Sequence, residues 1–343
     1  MVKNTRKKQL HVSTLQDVAR DAEVSTATVS RCLNSPNQVA EATRTRVMEA
    51  VNKLEYTPNF GAKAMAENRT FTIGAIIPTM ENAVFARGLQ AFQDTLHKRG
   101  YTLLVASSSY SSDLEQEQMR TLISRGVDGL LLIGHDRHAS ALQYLEKRNI
   151  PTLVTWAYEP AAALPSIGFD NYAAMQSLAD RVFQLGHKNI GMISAQIKSN
   201  DRARARVLAV QDMMTNNGLD KAHLKLIETE YDIEKGALAF ETLIKNSDPP
   251  TMIFCGNDVL AVGAIRSAHK LGLNVPKDVS ITGFDDIELA KIVTPELTTV
   301  HVPHQEMGNK AAVALVDMVE NKSSPLLKPL EAIVKFRNSL AAV

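Results

Sequence analysis

No stretch of about 20 uninterrupted apolar residues occurs in this chain, so nothing in it is long enough to span a bilayer as a helix. The basic start, Met1-Val2-Lys3-Asn4-Thr5-Arg6-Lys7-Lys8, is not followed by an apolar core. That argues against a secretory signal, so the cytoplasm is the expected location and no membrane partner is expected. Cysteine is nearly missing: Cys32 and Cys255 are the two in 343 residues, far apart and each on an apolar stretch. Neither a disulfide framework nor a metal-spaced cluster can be built from them, and both read as small buried hydrophobes. Catalytic signatures are missing too. There is no G-x-S-x-G elbow, no G-x-x-x-x-G-K-[ST] loop and no H-E-x-x-H, and Ile77-Pro78-Thr79-Met80 stands where a glycine fingerprint would follow the first strand. The nine histidines are scattered, and a pair such as His135 and His138 reads as surface. No enzyme, metal site or cofactor is expected; an α/β enzyme with a nucleic-acid-binding appendage is the alternative.

What is present divides into two parts. Residues 1–70 hold 11 Lys or Arg against 7 Asp or Glu, leaving 27 against 30 for the remainder, so a basic head precedes a slightly acidic body. A basic end suits a polyanionic partner, although many solvated faces look the same. From Leu15 to Tyr56 apolar positions recur at three and four residues, which predicts short helices only. From Thr72 onward short apolar runs alternate with longer amphipathic segments. The runs are Thr72–Pro78, Tyr101–Ala106, Val127–Gly134, Ile150–Trp156, a strand ending at Asp170, Ile190–Ser194, Thr251–Cys255, Val279–Phe284 and a last strand Glu331–Phe336. Near-continuous apolar strands between helices imply parallel sheets covered on both faces. About ten strands exceed a comfortable single sheet, so two doubly wound lobes are expected, with the seam after Asp170 and a ligand cleft beyond the carboxyl ends of the strands.

The head carries the most specific pattern. Thr14–Ala22 reads as one helix, Glu23-Val24-Ser25 as a tight turn, and Thr26–Asn34 as a second helix with Ser25 as N-cap. At about 100° per residue, Val29, Cys32 and Leu33 gather on one side while Ala27, Ser30 and Arg31 gather on the other. A short second helix presenting small hydroxylated residues and an arginine fits the major groove. Arg31 can pair bidentately with a guanine edge, and Ser25, Thr26, Thr28 and Ser30 can meet phosphates or bases, with Asn34 at the end of the same helix. The plainer alternative is an ordinary helical hairpin with an exposed arginine.

The string TLQDVARDAEVSTATVSRCLN, followed by VAEATRTRVMEAVNKLEYTPN, resembles the head of the lactose and galactose repressor family, with its T-x-x-D-V-A-x-x-A-x-V-S-x-x-T-V-S-R pattern. The resemblance implies a sequence-specific transcriptional regulator, commonly a repressor, bound to double-stranded operator DNA. It places base reading on Thr26, Ala27 and Arg31. Ala27 offers only an apolar contact, such as a thymine methyl, so the operator is expected to differ from those read by a polar side chain there. Domain limits of 1–58 for the helix-turn-helix, 59–70 for a hinge segment and 71–343 for an effector-binding and dimerisation body follow. The segment after Pro58 is too short to hold a helix alone in water, so it is expected to be disordered off DNA. In the resembled family it folds on the operator and wedges an apolar residue into the minor groove; here that position is Met65, with Asn59 and Lys63 as neighbouring DNA contacts.

The body resembles the periplasmic-binding-protein core of the same family through VDGLLLIG, FQLGHKNIGMIS, MIFCGNDVLAVGAI, LGLNVPKDVSITGFDD and TPELTTVHVP. Position by position this assigns a small-molecule effector to Phe85, Arg202, Arg206, Tyr231, Asn257 and Asp285, with His135 and Trp156 as further candidates. Arginines and an amide suit hydroxyl or carboxylate oxygens, and rings cover a flat face. Each residue also has a plainer reading: Phe85 as core, Tyr231 as a surface ring, Asp285 as an N-cap. Arg202 and Arg206, four apart, can share a helix face, which favours a sugar or sugar acid. Arg204 is expected to be solvated. The resemblance also implies a homodimer, and leaves open whether the effector induces or corepresses.

Overall fold

A computed structural model describes residues 13–57, 60–67, 69–81, 83–321 and 328–343. The chain divides after Thr70 into two compact units. Among the described residues no helix is long and apolar enough to cross a membrane.

The first unit is helical: α1 Leu15–Asp21, α2 Thr26–Asn34, α3 Glu41–Lys53 and α4 Phe60–Glu67. Thr14 lies outside α1 as its N-cap, and with Asp17 it forms a reciprocal capping box that satisfies two backbone N–H groups at once. Val18, Ala19, Ala22, Val29, Cys32, Val47 and Ala50 form the core of α1 to α3. Glu23 takes a left-handed φ of 53°, which turns the chain sharply between α1 and α2. The segment expected to order on DNA is helical as α4. Alanines at 62, 64 and 66 give it high propensity, and the Arg69 N–H closes its end on the Ala64 carbonyl at 3.2 Å.

The second unit opens with a parallel sheet built from β1 Thr72–Ile77, β2 Thr102–Ser107, β3 Gly129–Ile133, β4 Thr152–Thr155 and β5 Ser166–Ile167, in the order β2-β1-β3-β4-β5. Its helices are α5 Ala83–Lys98, α6 Ser112–Ser124 and α7 Ala139–Arg148. Every residue of β1 and β3 is buried, as continuous apolar strands between helical layers require. The edge strand β2 is half-exposed.

Four helices then alternate with a second parallel sheet: α8 Asn171–Gln184, β6 Ile190–Ser194, α9 Asp201–Asn216, β7 Lys225–Glu228, α10 Ile233–Ile244, β8 Met252–Cys255, α11 Asp258–Lys270 and β9 Ser280–Thr282, with the order β7-β6-β8-β9. The last elements are the short helix α12 Leu289–Ile292, β10 Thr299–His301, α13 His304–Val319 and β11 Ile333–Lys335, with β10 and β11 paired antiparallel.

Two lobes were expected, but not the route between them. Instead of staying beyond a single seam after Asp170, the chain returns: α13 packs on α5, β3 and β4 of the first lobe. The reason is packing. Gly88 of α5 and Gly308 of α13 let the two backbones touch, since a Cβ on Gly308 would overlap the Gly88 carbonyl. The last residues then weave into the second lobe. Ser339 exchanges hydrogen bonds with Ile281, the buried His187 donates to the Ala341 carbonyl at 2.9 Å, and the Val343 N–H reaches the Leu185 carbonyl at 3.2 Å.

Candidate functional site

In the head, α2 starts where Ser25 Oγ accepts the Thr28 N–H at 3.2 Å. Ser25 and Thr28 also share a hydrogen bond at 2.9 Å, so Thr28 is partly committed to the cap. Val29 and Cys32 are buried, while Ser25, Thr26, Ala27, Arg31 and Asn34 are exposed, which separates a packing face from a reading face as the 100° spacing predicts. Ser30 is half-buried and accepts from the Asn34 amide at 3.3 Å. Lys63 and Met65 both lie on α4, and Met65 is 87% exposed. Asn59 lies outside the described residues.

In the body, the carboxyl ends of both sheets face one cleft. Its loops end in polar N-caps: Asp170 for α8, Asn200 for α9, Asp232 for α10 and Asn257 for α11. Phe85, Trp156, Arg202, Arg206, Tyr231, Asn257 and Asp285 converge there on a cavity of about 30 Å³, the room of about one water. Seven of the eight residues carried over from the sequence thus meet.

The exception is His135. It does not line the cavity; its backbone N–H donates to Asp201 Oδ2 at 2.6 Å, and burial lowers the pKa of its ring, disfavouring the imidazolium. Tyr110, Asn171, Phe169, Asn200 and Val84 complete the wall without having been singled out.

Arg206 is held from three sides. Nε donates to the Arg202 carbonyl at 3.2 Å, Nη1 to the Gly256 carbonyl at 3.0 Å and Nη2 to the Tyr231 hydroxyl at 3.3 Å, while its guanidinium carbon sits 4.4 Å from the Phe284 ring centroid. Asp285 is not an N-cap. Burial raises its carboxyl to about 7, against the opposing pull of Arg206 and Arg202.

Asn257 Oδ1 is spent on its helix, accepting from the Leu260 N–H at 3.0 Å, but its buried Nδ2 has no partner among the described residues. The same holds for Asn171 Oδ1 and Trp156 Nε1. Buried polar atoms normally find partners; of the seven buried side-chain polar atoms without one among the described residues, three belong to residues lining this cavity. Strain marks it as well. Tyr110, Trp156 and Asp285 are non-glycine residues with φ of 59°, 61° and 106°. Such conformations cost about 1–3 kcal/mol each and cluster where ligands are held.

Ionic contacts close the cleft. Arg204, expected to be solvated, instead makes a bidentate pair with Asp136 of the first lobe at 2.7 and 2.8 Å and donates to the Ile197 carbonyl. The correction follows from where α9 begins: its first turn abuts the loop after β3, so Arg204 meets a carboxylate before it meets water. Arg202 pairs with Asp201 at 2.9 Å beside Gly134. Burial pushes the Asp201 carboxyl up, but Arg202 and the His135 N–H outweigh it and hold it below the usual range. Arg87 of α5 pairs with Glu288 of the second lobe on another side of the cleft.

A helix-turn-helix head and a two-lobed body with a polar cleft define a ligand-controlled DNA-binding regulator, and the comparisons agree. Residues 14–59 match the model of bacterial regulatory proteins of the lacI family. Residues 70–333 match that of periplasmic binding proteins and the sugar binding domain of the LacI family. Catabolite control protein A of Priestia megaterium is 31% identical over 328 residues, covering 95% of this chain and 98% of its own. The HTH-type transcriptional repressor CytR of Escherichia coli (strain K12) is 32% identical over 333 residues, covering 96% and 97%. Among solved structures, a LacI-family transcriptional regulator from Silicibacter pomeroyi superposes with a TM-score of 0.86 at 24% identity, covering 96% of this chain and 99% of its own. The lac repressor dimer bound to operator and the anti-inducer ONPF does so at 0.84 and 24%, over the same shares. This chain belongs to the LacI family of DNA-binding transcriptional regulators; its relatives are regulators and not enzymes.

Proposed function

We propose that this regulator is a repressor that binds a roughly palindromic operator as a homodimer in the cytoplasm, without a cofactor, and that a sugar or sugar acid in the cleft sets its DNA affinity. One observation carries the choice of ligand. Two buried guanidinium groups, on Arg202 and Arg206, share a cavity wall with a single carboxyl, and the unpartnered Asn257 and Asn171 amide atoms stand beside them. Fork-shaped cations bind carboxylates bidentately, and the amides suit ring hydroxyls. Two-fold pairing of the head explains a palindromic site, because each half-site then meets the same α2. Control of operator binding needs a coupling of about 1–3 kcal/mol between cleft and DNA.

The test is a thermal-shift screen of the full chain against neutral sugars, hexuronates, sugar phosphates and purines, with an operator gel shift for each hit. The expected result is stabilisation by a sugar or hexuronate that is lost in Arg206→Ala and that changes operator affinity. Stabilisation by none of them, or by a compound indifferent to Arg206, refutes the reading.

A further inference from the structure

The cleft has a second compartment. Outside the 30 Å³ cavity lies a chamber of about 950 Å³, at the top of the range for small-molecule sites. Tyr110, Asn200 and Tyr231 line both spaces. The two rings face each other across the cleft with centroids 6.1 Å apart and planes tilted by 55°. Tyr110 follows β2 on the first lobe and Tyr231 follows β7 on the second, so any separation of the lobes parts the rings.

Tyr110 is aimed deliberately. Ser109 and Tyr110 are consecutive left-handed residues, with φ of 48° and 59°, and neither is a glycine. A backbone strained in this way persists only where the fold holds it, and here it delivers a ring to the cleft.

The two compartments also differ in chemistry. The inner wall carries Arg202 and Arg206 against Asp285. The outer wall carries Glu81, Glu230 and Asp232 against Lys235, which repels a second anionic group. Apart from the apolar Met80 and Ala195, its other side chains are hydroxyls, such as Ser107, Ser109 and Thr229, and the amides of Gln196 and Asn200, and the two phenol rings offer faces for stacking. Hydroxyls, amides and aromatic faces together suit a neutral polyhydroxylated ring.

We propose that Tyr110 and Tyr231 form an aromatic gate between an inner site, which must widen from its 30 Å³ as the lobes part in order to take a carboxylate-bearing sugar unit, and an outer subsite for a neutral one, so that the effector class is an acidic disaccharide bound with its uronate innermost. This rests on the inner cavity being the effector site proposed above. The gate excludes solvent from the inner site, and the outer unit rests against the gate once the inner one has passed.

Two measurements on the full chain test it. Trp156 is the only tryptophan and lines the inner cavity, so acrylamide quenching of its fluorescence reports passage through the gate without any knowledge of the effector. Quenching should rise severalfold in Tyr110→Ala and in Tyr231→Ala but not in Tyr110→Phe, which keeps the ring; equal quenching in all four proteins overturns the gate. Calorimetry then compares D-glucuronate with cellobiuronic acid, and D-galacturonate with digalacturonate. Cellobiuronic acid, with one carboxylate, should bind about tenfold more tightly than glucuronate, the scale of one aromatic face, and the advantage should vanish in Tyr110→Ala. Digalacturonate, whose second carboxylate meets the acidic outer wall, should gain nothing over galacturonate. Uronates that bind through Arg206 with no gain from the neutral second unit overturn the outer subsite and leave the proposed function standing. Binding of no sugar or sugar acid overturns both.

Discussion

Replacing Gly134 by alanine should open the cleft. Gly134 ends the turn after β3 with φ of +69°, and a Cβ there would overlap Asp201 Oδ1 and Arg202 Nη1 from the opposite lobe. Two separate costs follow. Left-handed backbone costs an L-residue about 1–2 kcal/mol. That strain sits within the first lobe and lowers stability whether the cleft is open or shut. Displacing the first turn of α9 then removes contacts made only when shut. The His135 N–H to Asp201 bond, with a charged acceptor, contributes about 1.5–3 kcal/mol. The Arg204–Asp136 pair has side chains 38% and 29% exposed, so screening reduces it to about 0.5–1 kcal/mol. Together the shut state loses about 2–4 kcal/mol, a shift of roughly 30- to 900-fold in the balance of states. Small-angle X-ray scattering of the full chain should show a larger radius of gyration, and operator affinity should change with it. Gly186→Ala is the control: φ there is +92° with nothing within 4 Å of the added Cβ, so it should lower the melting point by a few degrees without opening the cleft. If Gly134→Ala scatters like the parent and binds operator equally, the contacts around α9 do not hold the lobes together.

Three further outcomes are expected. Because the folded state holds the Asp285 proton up to about 7 instead of 3.8, stability should fall as pH rises between those values and then level off; Asp285→Asn should exceed the parent by up to about 4 kcal/mol at pH 8 and match it near pH 4, and parallel urea-denaturation profiles would falsify this. Arg31→Ala should cost about 1–3 kcal/mol of operator affinity by fluorescence anisotropy and relax discrimination at one base pair, whereas a uniform loss on every sequence would make Arg31 a phosphate contact. Ser25→Ala should destabilise the head by about 1 kcal/mol through loss of the N-cap, measured by amide exchange in α2; unchanged protection there would mean the Thr28 N–H has another acceptor.

Much of this architecture was legible because burial leaves a simple mark. Strands covered on both faces read as apolar runs, so β1, β3, β4, β6, β8 and β9 stood out, whereas β7, half-exposed and beginning at Lys225, had no run to reveal it. The reading face of α2 followed from helical spacing alone. Within the cleft, Arg206 and Asn257 were found through motif resemblance. Tyr110 was not, because it sits among serines in a loop without periodicity. Asn171 and Asn200 hid behind ordinary roles near helix starts, where an asparagine needs no further explanation. Arg204 and the single seam after Asp170 were misjudged for one shared reason: the outcome rests on a partner distant in sequence, Asp136 for Arg204 and α5 for α13, and local patterns carry no record of such partners.

The return of α13 to the first lobe, and the weaving of the last residues into the second, bear on how the polypeptide matures during synthesis. The head has its core within residues 18–50 and can fold soon after it leaves the ribosome. The body cannot finish in the same order. Its first lobe lacks a covering helix until residue 319 has been made, and its second lacks Ser339 and Ala341 until residue 341 has been made. A nonsense mutation late in the gene should therefore spare the head while leaving both lobes incomplete, and the truncated product should reach proteases as a sound DNA-binding module on an unfinished body.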